Sequence, residues 1–195
     1  MSLRELTKEQ HRMAERQDFV KILMSGIIHP DFYATYLFNQ FVKYHLLETI
    51  GQANGCFDDM NAILRTPAIE KDFAELWTHD DPPVTVASTA EYVQYKKKHI
   101  SNPHAIMAHI YVHHMGDLSG GQMIKSKIPG KGLFYKFDAD KQLLKDIVRS
   151  KIDNTMAEEA KVAFSFATKL FQDLTAVSYT HLRAHETVLD LVCRL

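Results

Sequence analysis

Apolar residues recur at helical spacing along almost the whole chain. Near the C-terminus they fall at 143/144, 147/148, 152, 156, 160, 163/164, 167, 170/171 and 174, which predicts one helix of about eight turns. Helices are also predicted from Ser2 to Arg16, Phe19 to Ser25, Pro30 to Gly51, Thr89 to His99 and Asn102 to Lys127, with a weaker stretch from Phe57 to Trp77. The sequence contains no competing strand-like alternation or repeat, so it predicts a single all-α domain.

Composition narrows the class of protein without naming an activity. A chain of 195 residues with 46% hydrophobic residues can bury one core, and a net charge of -1 creates no field that favours nucleic acid. Two cysteines are too few for a disulfide framework, and no apolar run has the length of a membrane span. We therefore expect a cytoplasmic monomer that binds neither nucleic acid nor membrane.

Residues 177–195 differ in character from the rest of the chain. The run from Val177 to Thr187 matches the translation of a transposon-type sequencing adapter, and residues 191–195 match its continuation in the same frame. We expect a domain at residues 1–176 that is truncated at its C-terminus and is followed by adapter read-through. His181, His185 and Cys193 are therefore left out of the candidate chemistry.

The most informative segment is the Gly-Asp-Leu-Ser-Gly-Gly-Gln run at 116–122. Each glycine inside a helix costs about 1 kcal/mol relative to alanine, so three of them indicate that bulk is excluded there. Glycines let the backbone approach a flat ligand, and Asp117 beside them can anchor polar groups or water. On the pattern alone, tight helix packing beside a solvated aspartate explains the run equally well.

This run resembles the distal-helix signature of haem oxygenases, and the resemblance covers essentially all of residues 2–175. The family carries its proximal haem ligand in a Thr-x-x-x-His-x-x-Ala-Glu context, which Thr7 to Glu15 match. The resemblance implies a helical bundle with haem between the first helix and a kinked, Gly-rich distal helix. It also implies that His11 ligates the haem iron and that Glu15, one turn on, orients the imidazole.

The resemblance assigns the remaining pocket residues as well. Haem propionates favour cationic or hydroxyl partners. The matching propionate partners are Arg4, Tyr111, Lys145 and Arg149, and the matching aromatic wall is Phe164. Asp117 would supply protons through ordered water, while Gly116, Gly120 and Gly121 would crowd O2 toward one edge of the ring.

The implied activity is oxidative opening of haem to biliverdin, carbon monoxide and iron, with the α edge of the ring expected as the point of attack. Haem is then both substrate and cofactor. The sequence has no flavin or nicotinamide fingerprint, so electrons would come from a ferredoxin or an NADPH-dependent reductase.

Other interpretations remain open at this point. A haem carrier would keep His11 without a proton relay, and a haem-free salvage enzyme of similar fold would need a nucleophile that Cys56 matches poorly. A di-iron bundle would need paired Glu-x-x-His motifs, which the sequence lacks. His109 and His113 have a metal-like i, i+4 spacing, but without a third ligand we expect them on the helix surface or lining the pocket.

The chain also departs from the family pattern at three positions. His113, Ala167 and Phe41 stand where relatives carry Arg, Asn and Tyr respectively. These departures bear on the water network and leave His11, Asp117 and the glycines untouched.

Overall fold

A computed structural model describes the backbone of residues 1–192 and the side chains of residues 1–178. Within that part the chain forms α-helices joined by short turns and contains no strand, so the all-α prediction is confirmed. The helices are α1 Leu3–Leu6, α2 Lys8–Glu15, α3 Asp18–Ser25, α4 Pro30–Ala53, α5 Thr66–Leu76, α6 Ala87–His99, α7 Pro103–Ser119, α8 Gly121–Ile124, α9 Lys141–Ser150 and α10 Ala157–Val192. The segment predicted to be adapter read-through, residues 177–195, falls mostly outside this part, because the side chains of residues 179–195 are not among those described.

The predicted N-terminal helix is divided at Thr7. Ser2 begins α1 with the expected capping box, in which its side chain and that of Glu5 accept each other's backbone N–H. The Thr7 hydroxyl donates to the Leu3 carbonyl at 2.9 Å, and the backbone there leaves helical geometry. A hydroxyl that bonds the preceding turn competes with the helix and bends it. The division separates Arg4 from the helix that carries His11.

The prediction of one continuous helix from residue 143 onward is wrong. The chain forms α9, a 3-10 turn at Asn154–Met156 and then α10. The Asp153 side chain accepts from the backbone N–H of Thr155 at 2.8 Å and so begins a new turn. The period survives the break because Val148, Met156 and Ala160 all face the same apolar cluster.

Two other predicted boundaries differ from the structure. Thr89, predicted to begin a helix, is buried inside α6, which begins at Ala87. The predicted helix from Asn102 to Lys127 ends at Ser119 and is followed by the short α8. The Gly-rich run therefore spans a junction between two helices.

α4 and α10 organise the core. α4 packs against α5, α6 and α7, and it is buried on nearly every side, with apolar and polar residues all around it. α10 packs against α2, α3, α6 and α7. Since α10 contacts both α2 and α7, it fixes the spacing of the helices that carry His11 and Asp117. None of the helices in the described residues has the length and apolar content needed to cross a bilayer.

Candidate active site

The proximal side of the site is His11 on α2. Its Nδ1 lies 3.3 Å from Oε2 of Glu15, one helical turn away, and 53% of its side chain is exposed. Because the Glu15 carboxylate accepts a hydrogen bond from Nδ1, it favours the tautomer in which Nε2 carries no proton and is free to bind a metal ion. The His11 ring meets the edge of Phe164 of α10 at a centroid distance of 5.6 Å. Phe164 is buried in the cluster that includes Val112 of α7, so one aromatic wall joins the two sides.

The distal side is the C-terminal end of α7. The helix begins where the Asn102 side chain accepts from Ala105 N–H at 2.9 Å and Pro103 occupies the first turn. A Cβ added to Gly116 would meet nothing within 4 Å, and one on Gly120 would meet only the Gly116 carbonyl at 3.5 Å. At these two glycines no other side chain covers the α7 backbone, so a ligand could contact it directly.

Gly121 requires a correction, because it does not share the ligand-facing position predicted for it together with Gly116 and Gly120. It is buried, and a Cβ there would overlap Cδ1 of Tyr135 and lie 2.9 Å from Cε1 of the same ring. Packing against the Tyr135 ring, not ligand approach, excludes a side chain at this position.

Asp117 is a buried acid held by a tyrosine that sequence reasoning missed. The Tyr44 hydroxyl donates to Oδ2 of Asp117 at 2.6 Å. Burial raises the pKa of Asp117 to about 8, although the Tyr44 hydrogen bond and the charge of Arg65 oppose that rise. At neutral pH the side chain is thus mainly the neutral acid, which can donate a proton beside the open Gly116.

A second buried carboxylate, Glu48, fixes the frame around Asp117. Its Oε1 accepts from the Arg65 backbone N–H at 2.6 Å and from Nε2 of His114 at 3.0 Å. Its Oε2 accepts from the backbone and hydroxyl of Thr66. Burial opposes ionisation of Glu48, but the hydrogen bonds from His114, Thr66 and Arg65 outweigh it and lower its pKa. The carboxylate therefore ties α4 to α7 and to the start of α5.

His109 and His113 lie in the interior, so of the two positions expected for them the helix surface is wrong. His109 has no exposed surface, and His113 retains 7%. The Tyr92 hydroxyl of α6 lies between them, 2.6 Å from Nδ1 of His109 and 2.8 Å from Nε2 of His113. Both rings thus contact the same hydroxyl, and the described residues contain no group of three ligands able to hold a metal ion.

The four expected propionate partners lie on neighbouring elements. α7 packs against α9 and against the 3-10 turn Asn154–Met156, which also contacts α1. Arg4 is exposed on α1, Tyr111 and Lys145 are partly exposed on α7 and α9, and Arg149 is exposed on α9. Arg149 donates to Asp146 at 2.6 Å, so its guanidinium already has an anionic partner.

Known proteins resemble this chain in sequence. A sequence profile described as "Heme oxygenase" matches residues 1–173. The heme oxygenase of Porphyra purpurea is 28% identical to the chain over 89% of its length and 85% of the relative, and that of Guillardia theta is 29% identical over the same shares.

Solved structures show the same likeness. The heme oxygenase-1 of Synechocystis sp. PCC6803, in complex with heme, has a TM-score of 0.77 at 25% identity, covering 95% of this chain and 97% of that one. The heme oxygenase of Leptospira interrogans has a TM-score of 0.73 at 29% identity, covering 88% and 98%. The chain therefore belongs to the haem oxygenase family.

Proposed function

We propose that this protein binds one haem between α2 and α7 and opens it oxidatively to biliverdin, carbon monoxide and iron. Degradation of haem to biliverdin is the activity of the family to which the chain belongs. The observation that carries the proposal is a buried neutral acid, Asp117, next to the open backbone of Gly116 on α7. A protein that only stored haem would need no proton donor there.

The residues on α2 fit an iron-bound haem. Imidazole is a suitable axial ligand, and Glu15 leaves the Nε2 atom of His11 available on a half-exposed side chain. Phe164, edge-on to His11, offers an aromatic surface at the border of the site. When bound, haem supplies the iron that activates O2 and the ring that is oxidised.

The distal residues would control where the ring is opened. At Gly116 and Gly120 backbone, and not a side chain, would meet the haem. Asp117 holds a proton that it can release during O2 activation, and Tyr44 keeps its carboxyl in one position. The burial that raises the pKa of Asp117 also keeps bulk water from its carboxyl group.

The charged residues on α1 and α9 would fix the rotation of haem in its plane. Arg4, Tyr111, Lys145 and Arg149 would bind the two propionates through ion pairs and hydrogen bonds. We propose the α edge, which makes the product biliverdin IXα. Arg149 must then exchange its contact with Asp146 for a propionate, at little cost because both side chains are more than half exposed.

Electrons for the reaction would come from a separate ferredoxin or an NADPH-dependent reductase. The sequence contains no motif typical of flavin or nicotinamide binding. We propose that the protein works as a monomer in the cytoplasm, where such reductants are found.

Addition of hemin to the purified protein tests the proposal. We expect a histidine-type Soret spectrum, which gives way to a biliverdin spectrum once ferredoxin, its reductase and NADPH are added. Persistence of the haem spectrum under active reductant would show a haem carrier instead. Absence of any saturable haem binding would reject the proposed function altogether.

A further inference from the structure

A cleft of about 250 Å³ lies at the start of α5, outside the proposed haem site. Its walls come from the first turns of α5 and from the chain around the 3-10 turn Leu133–Tyr135, which packs against α5. None of its lining residues belongs to α1, α2, α7, α9 or α10, the helices that carry the residues proposed to bind haem. The charged lining residues are Arg65, Lys71, Lys136 and Asp138.

Arg65 brings a buried positive charge to the wall of this cleft, and only 6% of the residue is exposed. Its guanidinium donates to four backbone carbonyls at 2.7–3.3 Å, those of Ala62, Ile63, Phe134 and Lys136. A guanidinium has five N–H groups, so one N–H of Arg65 has no acceptor among the described residues. All four acceptors are neutral, and no carboxylate in the described part of the chain forms an ion pair with Arg65.

The surroundings of Arg65 do not neutralise this charge. Burial lowers the pKa of Arg65, and the negative charges of Asp117 and Glu48 offset that effect only in part. The Phe137 ring covers one face of the guanidinium, with its centre 3.9 Å from Cζ. A buried charge without a counter-charge destabilises a fold. An anion in the cleft would supply the counter-charge that the described residues lack.

Two lysines extend the positive charge of the cleft. Lys71 and Lys136 are exposed, and neither amino group has an ion-pair or hydrogen-bond partner in the part of the chain that the structure describes. The carbonyl of Lys136 accepts from Arg65 at 2.7 Å, which places Lys136 beside the guanidinium. Asp138 is the only acid among the lining residues. With three cations and one acid, the cleft favours an anion that carries more than one charge.

The first turn of α5 does not itself bind the anion. The carboxylate of Glu48 already accepts from the backbone N–H groups of Arg65 and Thr66, at 2.6 and 3.0 Å. Pro67 has no N–H, and the N–H of Ala68 donates to the Arg65 carbonyl at 3.0 Å. The side chains of Arg65, Lys71 and Lys136 are therefore the donors that remain for a ligand.

We propose that this cleft, named here the Arg65 cleft, binds a small phosphate monoester. A phosphate ester carries about two negative charges near neutral pH and has three acceptor oxygens, which match one guanidinium N–H and two ammonium groups. The remaining lining residues are apolar and include Ala68 and Leu133, which suits the organic part of an ester. Typical ligand pockets hold roughly 300–1,000 Å³, so a cleft of about 250 Å³ selects a small ester.

A bound ester would join α5 to the chain that supports the end of the distal helix. Arg65 already holds the carbonyls of Phe134 and Lys136, on either side of Tyr135. The Tyr135 ring packs against Gly121, and its carbonyl accepts from Nε2 of Gln122 at 3.0 Å. Since a ligand that binds only the folded state stabilises it, we expect the ester to raise the temperature of unfolding.

Amide NMR spectra of the haem-free protein, titrated with phenyl phosphate at constant ionic strength, test the proposal. We expect saturable shifts at Ala68 and Leu133 with a Kd of about 1 mM or below. Inorganic phosphate should shift the same amides but bind about tenfold more weakly, because it lacks the apolar group. Shifts confined to α1 and α9, shifts that do not saturate, or equal affinity for the two compounds would overturn the proposal.

The variant Lys71→Glu tests the charge of the Arg65 cleft. Substitution of Arg65 itself would remove four backbone hydrogen bonds and disturb folding, whereas Lys71 is exposed. We expect Lys71→Glu to raise the Kd for phenyl phosphate about tenfold and to abolish most of the rise in unfolding temperature. The matched control is Lys97→Glu, an exposed lysine of α6, which should bind as the native protein does. Equal Kd values for the two variants would reject the Arg65 cleft as the binding site.

Discussion

The proximal and distal sides of the proposed haem site are built in different ways. His11 is half exposed, on the eight-residue α2, and it is oriented by the exposed Glu15. Asp117 is buried in α7 and held by Tyr44 from α4, while Glu48 ties the same two helices together. On the proximal side the ligating residue would be covered only when haem binds, whereas on the distal side the polar groups are already buried and hydrogen-bonded in the haem-free protein.

This difference follows from the two tasks. An axial ligand only has to present one nitrogen to the iron, and an imidazole can do so without being buried in the protein. A proton donor must remain protonated near neutral pH, which needs burial and therefore a surrounding set of satisfied polar groups. We expect substitutions on the distal side to change chemistry and stability, and those on the proximal side to change haem ligation.

The largest effect is expected for Asp117→Asn. Loss of the buried acid should lower the rate of biliverdin formation by about 10²–10⁴-fold, because a positioned proton donor contributes about that much. Haem affinity should change little, since His11 and the propionate partners remain. Single-turnover rates and hemin titration measure the two quantities. The control is Asp18→Asn, an exposed acid of α3 paired with Lys21; a normal rate in Asp117→Asn would contradict the proton-donor role.

The two kinds of glycine on the distal side should respond oppositely to alanine. Gly121→Ala forces a Cβ into the Tyr135 ring and should lower the free energy of unfolding by about 1–3 kcal/mol. Gly116→Ala meets no atom within 4 Å and should raise the free energy of unfolding by up to about 1 kcal/mol through helix propensity. Gly116→Ala should nevertheless weaken haem binding. Thermal unfolding and hemin titration of both variants would check this, and haem affinity unaffected by Gly116→Ala would remove this glycine from the site.

Asp117 should also give the distal side a pH dependence of stability. Its pKa is about 8 in the folded protein against an ordinary value of 3.8. Between these values the folded state binds more protons than the unfolded state, so the free energy of unfolding falls as pH rises. An asparagine side chain does not titrate, so the Asp117→Asn variant should gain at least about 1 kcal/mol over the native protein between pH 5 and pH 8.

Urea unfolding of the two proteins at both pH values measures this difference. Lys43, with a pKa of about 7, titrates in both proteins, so the comparison cancels most of its contribution. A difference that stays constant with pH would mean that Asp117 is ionised in the folded state.

The smallest effect is expected at the propionate partners. Lys145→Ala and Arg149→Ala should each raise the Kd for haem about two- to fivefold, since exposed ion pairs contribute less than about 1 kcal/mol. The regiochemistry of the biliverdin should shift in the double variant, because haem can then rotate in its plane. Lys21→Ala, an exposed lysine on α3, is the control; unchanged affinity and product in the double variant would exclude α9 from the site.

The candidate residues found from the sequence lie in short local motifs. His11 and Glu15 lie four residues apart and Asp117 lies within a short glycine-rich run, and it was the resemblance of these motifs to the haem oxygenase family that singled them out. The helix predictions also held in outline, because apolar periodicity depends on neighbours along the chain. They failed at Thr7 and Asp153, where one polar side chain redirects the backbone without disturbing the period.

Residues that act through distant partners could not be predicted in this way. Tyr44 and Asp117 are 73 positions apart, and His109 and Glu159 are 50 apart. The only sequence signal for these partners was the presence of polar residues, such as Lys43, in a helix that is otherwise apolar on most sides. Gly121 was misassigned for the same reason, since its partner Tyr135 is brought to it by the fold.

The most direct test of the account is the absorption spectrum of the haem complex of His11→Ala, with the exposed His45→Ala of α4 as control. The account predicts that His11→Ala loses the histidine-type Soret spectrum and biliverdin formation, that added imidazole restores the spectrum, and that His45→Ala behaves like the native protein. A native spectrum and normal turnover of His11→Ala without added imidazole would contradict the assignment of His11 as the haem ligand.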